Sequence, residues 1–267
     1  MAGLRLLCKI EVRQCNPAKD LLASGSIMRK KVIVILFGMF IFPALLYADD
    51  TASLLKKVRE YGQEVSRIEA SAKTASLEKL LQQGDAIAVD LQSIIEQLSN
   101  ADYDYVVKNM KGFIVNREEA IVLKPDSNFF SKLGRKVGTE QDRLYFGFVL
   151  KVKPEGYWPV YLDRQTDLGG CTKYGDGTLS SLYKEGSMLS PRVGGYYGKQ
   201  LDKMLDEMGD AFTSGSCACG DVQSVIAEFQ TFMETNPNAA IAYKVNERLR
   251  SIKQGSSHVR FHCVGGV

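Results

Sequence analysis

The sequence predicts an α+β protein, mainly helical. It reads as an N-terminal helical hairpin, a mixed central domain with a Gly-rich loop region clamped by disulfides, and a C-terminal helical hairpin. Three observations carry this. Apolar residues recur at helical spacing over 50–100. A tract rich in Gly, Tyr, Pro and Ser, with a cysteine inside it, occupies 154–198. Two amphipathic stretches lie near the end, over 221–252.

The first stretch carries Leu54, Val58, Tyr61, Val65, Ile68 and Ala72, spaced 4, 3, 4, 3, 4. That spacing draws one narrow apolar seam along a helix. The seam breaks at Thr74-Ala75-Ser76 and resumes with Leu77, Leu81, Ala88, Leu91, Ile95 and Leu98. Ser76 can cap the second helix, and Gly84 weakens its interior. Two antiparallel helices over 49–100 are the simplest arrangement.

Residues 101–267 read as the α+β domain. Ala120 to Leu123 is a short apolar run before Lys124-Pro125, a predicted strand. Asp126 caps a helix with Phe129, Phe130 and Leu133 inward, closed at Gly138. "TEQD" at 139–142 is a capping-box start with Asp in place of Glu. The following "RLYFGFVLKV" has strand-like composition, and the cap tips it to helix. Glycines at 156, 169, 170, 175, 177, 186, 194, 195 and 198 predict turns and short strands at best up to Gly198. A helix follows over 199–212, with Leu201, Met204, Leu205 and Met208 apolar. Asp221 caps the next, which carries Val222, Val225, Ile226, Phe229 and Phe232. After a turn at Pro237, a last helix carries Ile241, Val245, Leu249 and Ile252. "SHVRFHC" alternates in the manner of a short final strand.

Ahead of all this, residues 28–48 have the order of a secretory signal peptide. Arg29, Lys30 and Lys31 precede an uncharged run of 17 residues, Val32 to Ala48, ending in Leu46-Tyr47-Ala48. An inner-membrane anchor is the alternative, but the run sits at the lower limit of a span, about 17–25 residues, and Pro43 suits a cleavage region better. Both readings export everything beyond Ala48, since positive charge stays in the cytoplasm. Residues 1–27 read as a non-structural extension, with Met28 as initiator. The expected location is therefore periplasmic or secreted, with no stable membrane insertion once the signal is removed.

Export changes the charge argument. The whole chain has 34 basic and 31 acidic residues; removing the seven basic and two acidic residues of 1–48 leaves 27 and 29, a net charge near −2. No electrostatic footprint for nucleic acid survives, nor a polybasic patch for anionic lipid.

Four cysteines remain: Cys171, Cys217, Cys219 and Cys263. An even number in an exported chain predicts disulfides. Cys217 with Cys219 is disfavoured by the geometry of a bridge across one residue, so Cys171 and Cys263 should each take one of that pair. Zinc bound by Cys217, Cys219, His258, His262 and Cys263 is a second reading. The strand pattern opposes it, because His258 and His262 would lie roughly 13 Å apart at about 3.3 Å per residue. His262 cannot activate the adjacent Cys263 as a nucleophile, because neighbours on a strand face opposite ways. No metal or other cofactor is expected.

Other catalytic signals are weak. "GDGTLS" at 175–180 lacks a P-loop lysine. "SLLK" at 53–56 has the Ser-x-x-Lys spacing without companion motifs. Asp163, Asp167 and Asp176 have no EF-hand spacing, yet they are the carboxylates an envelope hydrolase would use. The densest polar-aromatic stretch holds Tyr157, Trp158, Tyr161, Asp163 and Arg164, a combination suited to recognition, although Trp158 and Tyr161 equally suit a core. The expectation is an exported bacterial binding or interaction module, more non-catalytic than enzymatic, whose partner is a protein or an envelope component. An envelope hydrolase and a zinc-binding protein are the alternatives.

Overall fold

A computed structural model of the chain describes residues 42–118, 120–165 and 169–263, with side chains from Thr51 onward. The chain divides into Met1–Tyr47 and a compact unit, Ala48–Val267, which holds the core. The extension at 1–27 and most of the expected signal peptide lie outside the described residues, as does Asp167.

The first helix, α1 (Phe42–Ala70), buries Leu54, Val58, Tyr61, Val65 and Ile68 along its seam. It ends before the expected break, so Ala72 lies past the helix and is exposed. Ala75 then bridges to Gly138, its N–H donating to the Val137 carbonyl at 2.8 Å. The next helix, α2 (Glu78–Gln92), buries Leu80, Leu81, Gly84, Ile87, Ala88 and Leu91. Its cap is not Ser76. Leu77 holds the cap position, and its N–H donates to the Asp142 carboxylate, 65 residues away. Gly84 answers to packing: a Cβ there would stand 2.4 Å from the Phe113 ring. A helix that the sequence reading did not resolve, α3 (Asn100–Asn109), is capped by Ser99, whose Oγ accepts the Asp102 N–H.

Strand β1 (Phe113–Asn116) pairs antiparallel with β2 (Val122–Pro125), so the expected strand is present, shifted two residues towards Pro125. Asp126 caps α4 (Ser127–Val137) as expected. Phe130 and Leu133 are buried there, while Phe129 is half-buried. Thr139 and Asp142 form both halves of the capping box that opens α5 (Glu140–Val152). The strand-like stretch is therefore helix, with Tyr145, Phe146, Phe148 and Val152 buried.

The tract at 154–198 is only partly loop. Strands β3 (Leu162–Arg164) and β4 (Gly170–Thr172) pair antiparallel. They are followed by an unexpected helix, α6 (Thr178–Leu189). Its glycine is used for close approach, since a Cβ on Gly186 would stand 2.9 Å from Phe148 and 2.8 Å from Leu205. Its first turn is held by a carboxylate from far along the chain. Buried Glu228 accepts from the N–H groups of Gly175, Gly177 and Ser180 and from the Ser180 hydroxyl, at 2.7–2.9 Å.

Three helices complete the unit: α7 (Gly195–Thr213), α8 (Val222–Thr235) and α9 (Ala242–Lys253). Asp221 caps α8 through the Ser224 N–H. The expected final strand is reduced to a single bridge between Cys217 and Arg260, and the extended run stops at His262, whose φ is +52°. The face alternation holds, with Val259 buried and His258, Arg260 and His262 exposed. The mainly helical α+β class stands, its strands confined among the described residues to two small antiparallel sheets.

Candidate functional site

Two regions are candidates, and the sequence pointed to the first of them. There the segment around Ala218 runs between β4 and the C-terminal segment. On one side Thr172 donates its N–H to the Cys217 carbonyl and accepts the Cys219 N–H; on the other the Ala218 N–H donates to the Arg260 carbonyl and the Ala218 carbonyl accepts the Cys263 N–H. Each cysteine pair crosses one of these junctions. Cys171 stands at disulfide distance from Cys219 and Cys217 from Cys263, with Cα separations of 5.0 and 5.8 Å. This is a pairing in which Cys171 and Cys263 each take one member of the Cys-Ala-Cys run.

The residues expected to form a recognition surface do not share one cleft. Tyr161 is buried in the core, and Asp163 and Arg164 are exposed on β3. Trp158 leans on β4, its ring 3.1 Å from where a Gly170 Cβ would stand, and its indole N–H is buried without a hydrogen-bond partner among the described residues. Only Tyr157 reaches the second region, a cavity. Of the carboxylates weighed for hydrolysis, Asp176 accepts the Thr178 N–H in the turn before α6, and Asp163 is exposed. The zinc set is not assembled as expected. Among the described residues, the three possible ligand atoms that come within 4.8 Å of one another belong to Asp163, Cys171 and Cys219, and neither histidine joins them.

The second region is a cavity of about 300 Å³ bounded by α2, β2, α4, α5 and α7. Its position follows from how α7 is fastened. The Glu78 carboxylate, at the start of α2, accepts the N–H groups of Tyr196 and Tyr197 in the first turn of α7. A carboxylate there satisfies orphan donors and complements the positive end of the helix. Tyr197 then reaches inward to Asp142. Tyr196, one residue earlier, donates its hydroxyl to Asp85 on α2, inside the cavity. Gly195 makes the entry possible: its φ is +61°, and a Cβ would collide with Glu78.

Phe130, Tyr145, Phe146, Leu81 and Met204 form apolar wall. Charged groups converge on it from four elements: Asp85 from α2, Lys124 from β2, Lys153 just past α5, and Lys203 and Glu207 from α7. Lys153 is positioned by its backbone, since its carbonyl accepts the Ser127 hydroxyl at 2.5 Å. Removal from water raises the Asp85 pKa above the usual carboxylate range, against the hydrogen bond from Tyr196 and the nearby lysines. The same cause lowers the Lys153 pKa, and the fields of Lys124 and Lys203 add to the lowering while Glu207 and Asp85 oppose it. Perturbed groups gathered in a concave site make this cavity the candidate functional pocket.

The sequence held a trace of this site. The α2 seam steps from Leu81 to Ala88, and Asp85 occupies the skipped position on the apolar face. Tyr145, Val149 and Lys153 follow at intervals of four, so Lys153 extends an apolar stripe. A charge in an apolar seam was the available signal. No family model, curated protein or solved structure matches the chain.

Proposed function

We propose that this chain is an exported binding module, periplasmic or secreted, that takes a small molecule into the cavity between α2, β2, α5 and α7 without transforming it. The observation that carries the reading is the convergence of Asp85, Lys153 and Tyr196 on one apolar-walled space. A volume of about 300 Å³ matches the lower end of small-molecule sites, roughly 300–1,000 Å³. Export is supported by the leader at 28–48 and by the two cysteine pairs, which suit an oxidising compartment. No helix among the described residues is long and apolar enough to cross a membrane. In this reading α1–α2 and α8–α9 act as hairpins bracing the two ends of the unit. Tyr157 keeps its expected role in recognition, and Trp158 and Tyr161 serve packing.

The test is fragment screening of the exported protein by chemical-shift mapping. Bound fragments should perturb amides of α2, α5 and the first half of α7. Binding confined to the β3–β4 region, or turnover of envelope material lost on replacing Asp163, would replace this reading with the recognition-surface or hydrolase alternative.

A further inference from the structure

We propose that the cavity selects a small organic monoanion, its carboxylate held by the Lys153 ammonium and its apolar body laid against Phe130, Tyr145 and Phe146. The inference rests on the binding-module reading and goes further by naming the ligand's charge and shape.

The first support is an imbalance of partners. Lys124, Lys153 and Lys203 all line the cavity, yet among the described residues none has a carboxylate within 4 Å. Lysines on the open surface do find partners, such as Lys57 with Asp90 at 3.1 Å and Lys111 with Glu69 at 3.5 Å. The innermost of the three is the one with most to gain. Lys153 is half-buried, and its ammonium makes no hydrogen bond among the described residues. A desolvated ammonium without an acceptor is costly until one arrives.

The second support is that one internal acceptor, Asp85, is already engaged. Asp85 takes the Tyr196 hydroxyl, and among the described residues it forms no ion pair within 4 Å of the Lys153 ammonium. Glu207 attracts Lys153 without coming within 4 Å of its ammonium. The facing groups are thus Asp85 on α2, Lys124 on β2, Tyr145 on α5, Tyr157 beyond it, and Tyr196, Lys203 and Glu207 on α7. Three ammonium groups against two carboxylates leave one formal positive charge. One negative charge on the ligand balances this. A dianionic phosphate would face Glu207 and Asp85 with excess charge.

The third support is the wall. Phe130 and Phe146 stack with centroids 5.0 Å apart, and Tyr145 packs edge-on against Phe146. The Phe130 and Phe146 rings give a flat or chain-like apolar body a surface without donors to satisfy.

The probes are phenylacetate and hexanoate, each paired with its neutral amide, titrated calorimetrically into the exported protein at low ionic strength. Each acid should bind at least tenfold more tightly than its amide. Binding near the lowered Lys153 pKa should take up a proton, seen as a buffer-dependent enthalpy, because a bound anion stabilises the charged amine. Lys153→Met should erase the acid preference and the proton uptake while leaving the circular dichroism spectrum unchanged. Amides binding as well as acids would overturn the anion inference and leave the cavity reading standing. A preference that survives in Lys153→Met but fails in Lys124→Met or Lys203→Met would overturn the role given to Lys153. Tighter binding of phenyl phosphate than of phenylacetate would overturn the single-charge assignment. Failure of acids, amides and a fragment library alike would remove both the cavity reading and this one.

Discussion

The Tyr197 hydroxyl donates to the Asp142 carboxylate at 2.5 Å, joining the first turn of α7 to the cap of α5 in a fully buried setting. Asp142 also accepts from the N–H groups of Leu77 and Thr139 and from the Thr139 hydroxyl. One carboxylate thus ties the starts of α2, α5 and α7 together, the three helices that supply most of the cavity. Tyr197→Phe removes one charge-assisted bond and leaves the other three, so it should cost about 1.5–3 kcal/mol. Asp142→Ala strands several buried donors and should cost more. Urea unfolding with an unchanged m-value checks both.

Glu228 plays the same part for α6. Its Oε2 accepts two backbone N–H groups and its Oε1 accepts the Ser180 N–H and hydroxyl. Glu228→Gln must turn an NH2 group towards donors on one side, and should lose about 2 kcal/mol or more. Amide exchange should accelerate locally over 175–180. Unaltered exchange there would show that α6 starts without help from Glu228.

Gly84→Ala sets helix propensity against packing. Alanine gains about 1 kcal/mol in a helix interior. Here its Cβ would stand 2.4 and 2.6 Å from two atoms of the Phe113 ring, and overpacking costs about 1–3 kcal/mol. The variant should be less stable than the parent by about 1 kcal/mol, measured by chemical denaturation. A gain in stability would mean that the Phe113 ring yields freely.

If the chain is exported as proposed, both cysteine pairs should be oxidised in the isolated protein. Their partners are 48 and 46 residues apart in sequence, and closing loops of that length stabilises by roughly 2–4 kcal/mol each. Intact mass with alkylation should show Cys171, Cys217, Cys219 and Cys263 unmodified before reduction and all four modified after it, with a drop in melting temperature. Four free thiols in protein isolated without reductant would refute the clamp.

The cavity charges make stability depend on pH with opposite signs. Folding raises the Asp85 pKa, so its stabilising share is complete below about pH 4, the unfolded carboxylate range. That share is lost as pH climbs through the raised folded value. Folding lowers the Lys153 pKa, so the folded state is penalised below that lowered value. The penalty fades as pH rises towards about 10.4, the unfolded lysine value. Lys153→Met should therefore raise the melting temperature at neutral pH by roughly 2–4 °C, for about 1 kcal/mol, and flatten the alkaline limb. Asp85→Asn should flatten the acid limb. Melting curves from pH 3 to 10 decide it, and a Lys153→Met protein less stable throughout would show that the charge is not strained.

The sequence alone determined what depends on near neighbours. Asp126, the Thr139–Asp142 box and Asp221 cap helices through donors two or three residues away, a spacing visible in the chain. The seams through Val58 and Leu91 repeat with the helix period, and Val259 alternates with His258 and Arg260 because extended chain has period two. Even the cysteine partners were constrained locally, since one intervening residue disfavours a bridge between Cys217 and Cys219. Only the tertiary structure decided the rest. Helix α6 was hidden because its glycines read as turns, while the carboxylate holding its first turn is 48 residues away at Glu228. The start of α7 depends on Glu78, 118 residues from Tyr196. The cavity joins Asp85, Lys153 and Tyr196 from elements far apart in the chain, and their altered proton affinities arise from the water that packing removes. Such desolvation depends on what all the surrounding elements bring together, and no local spacing encodes it.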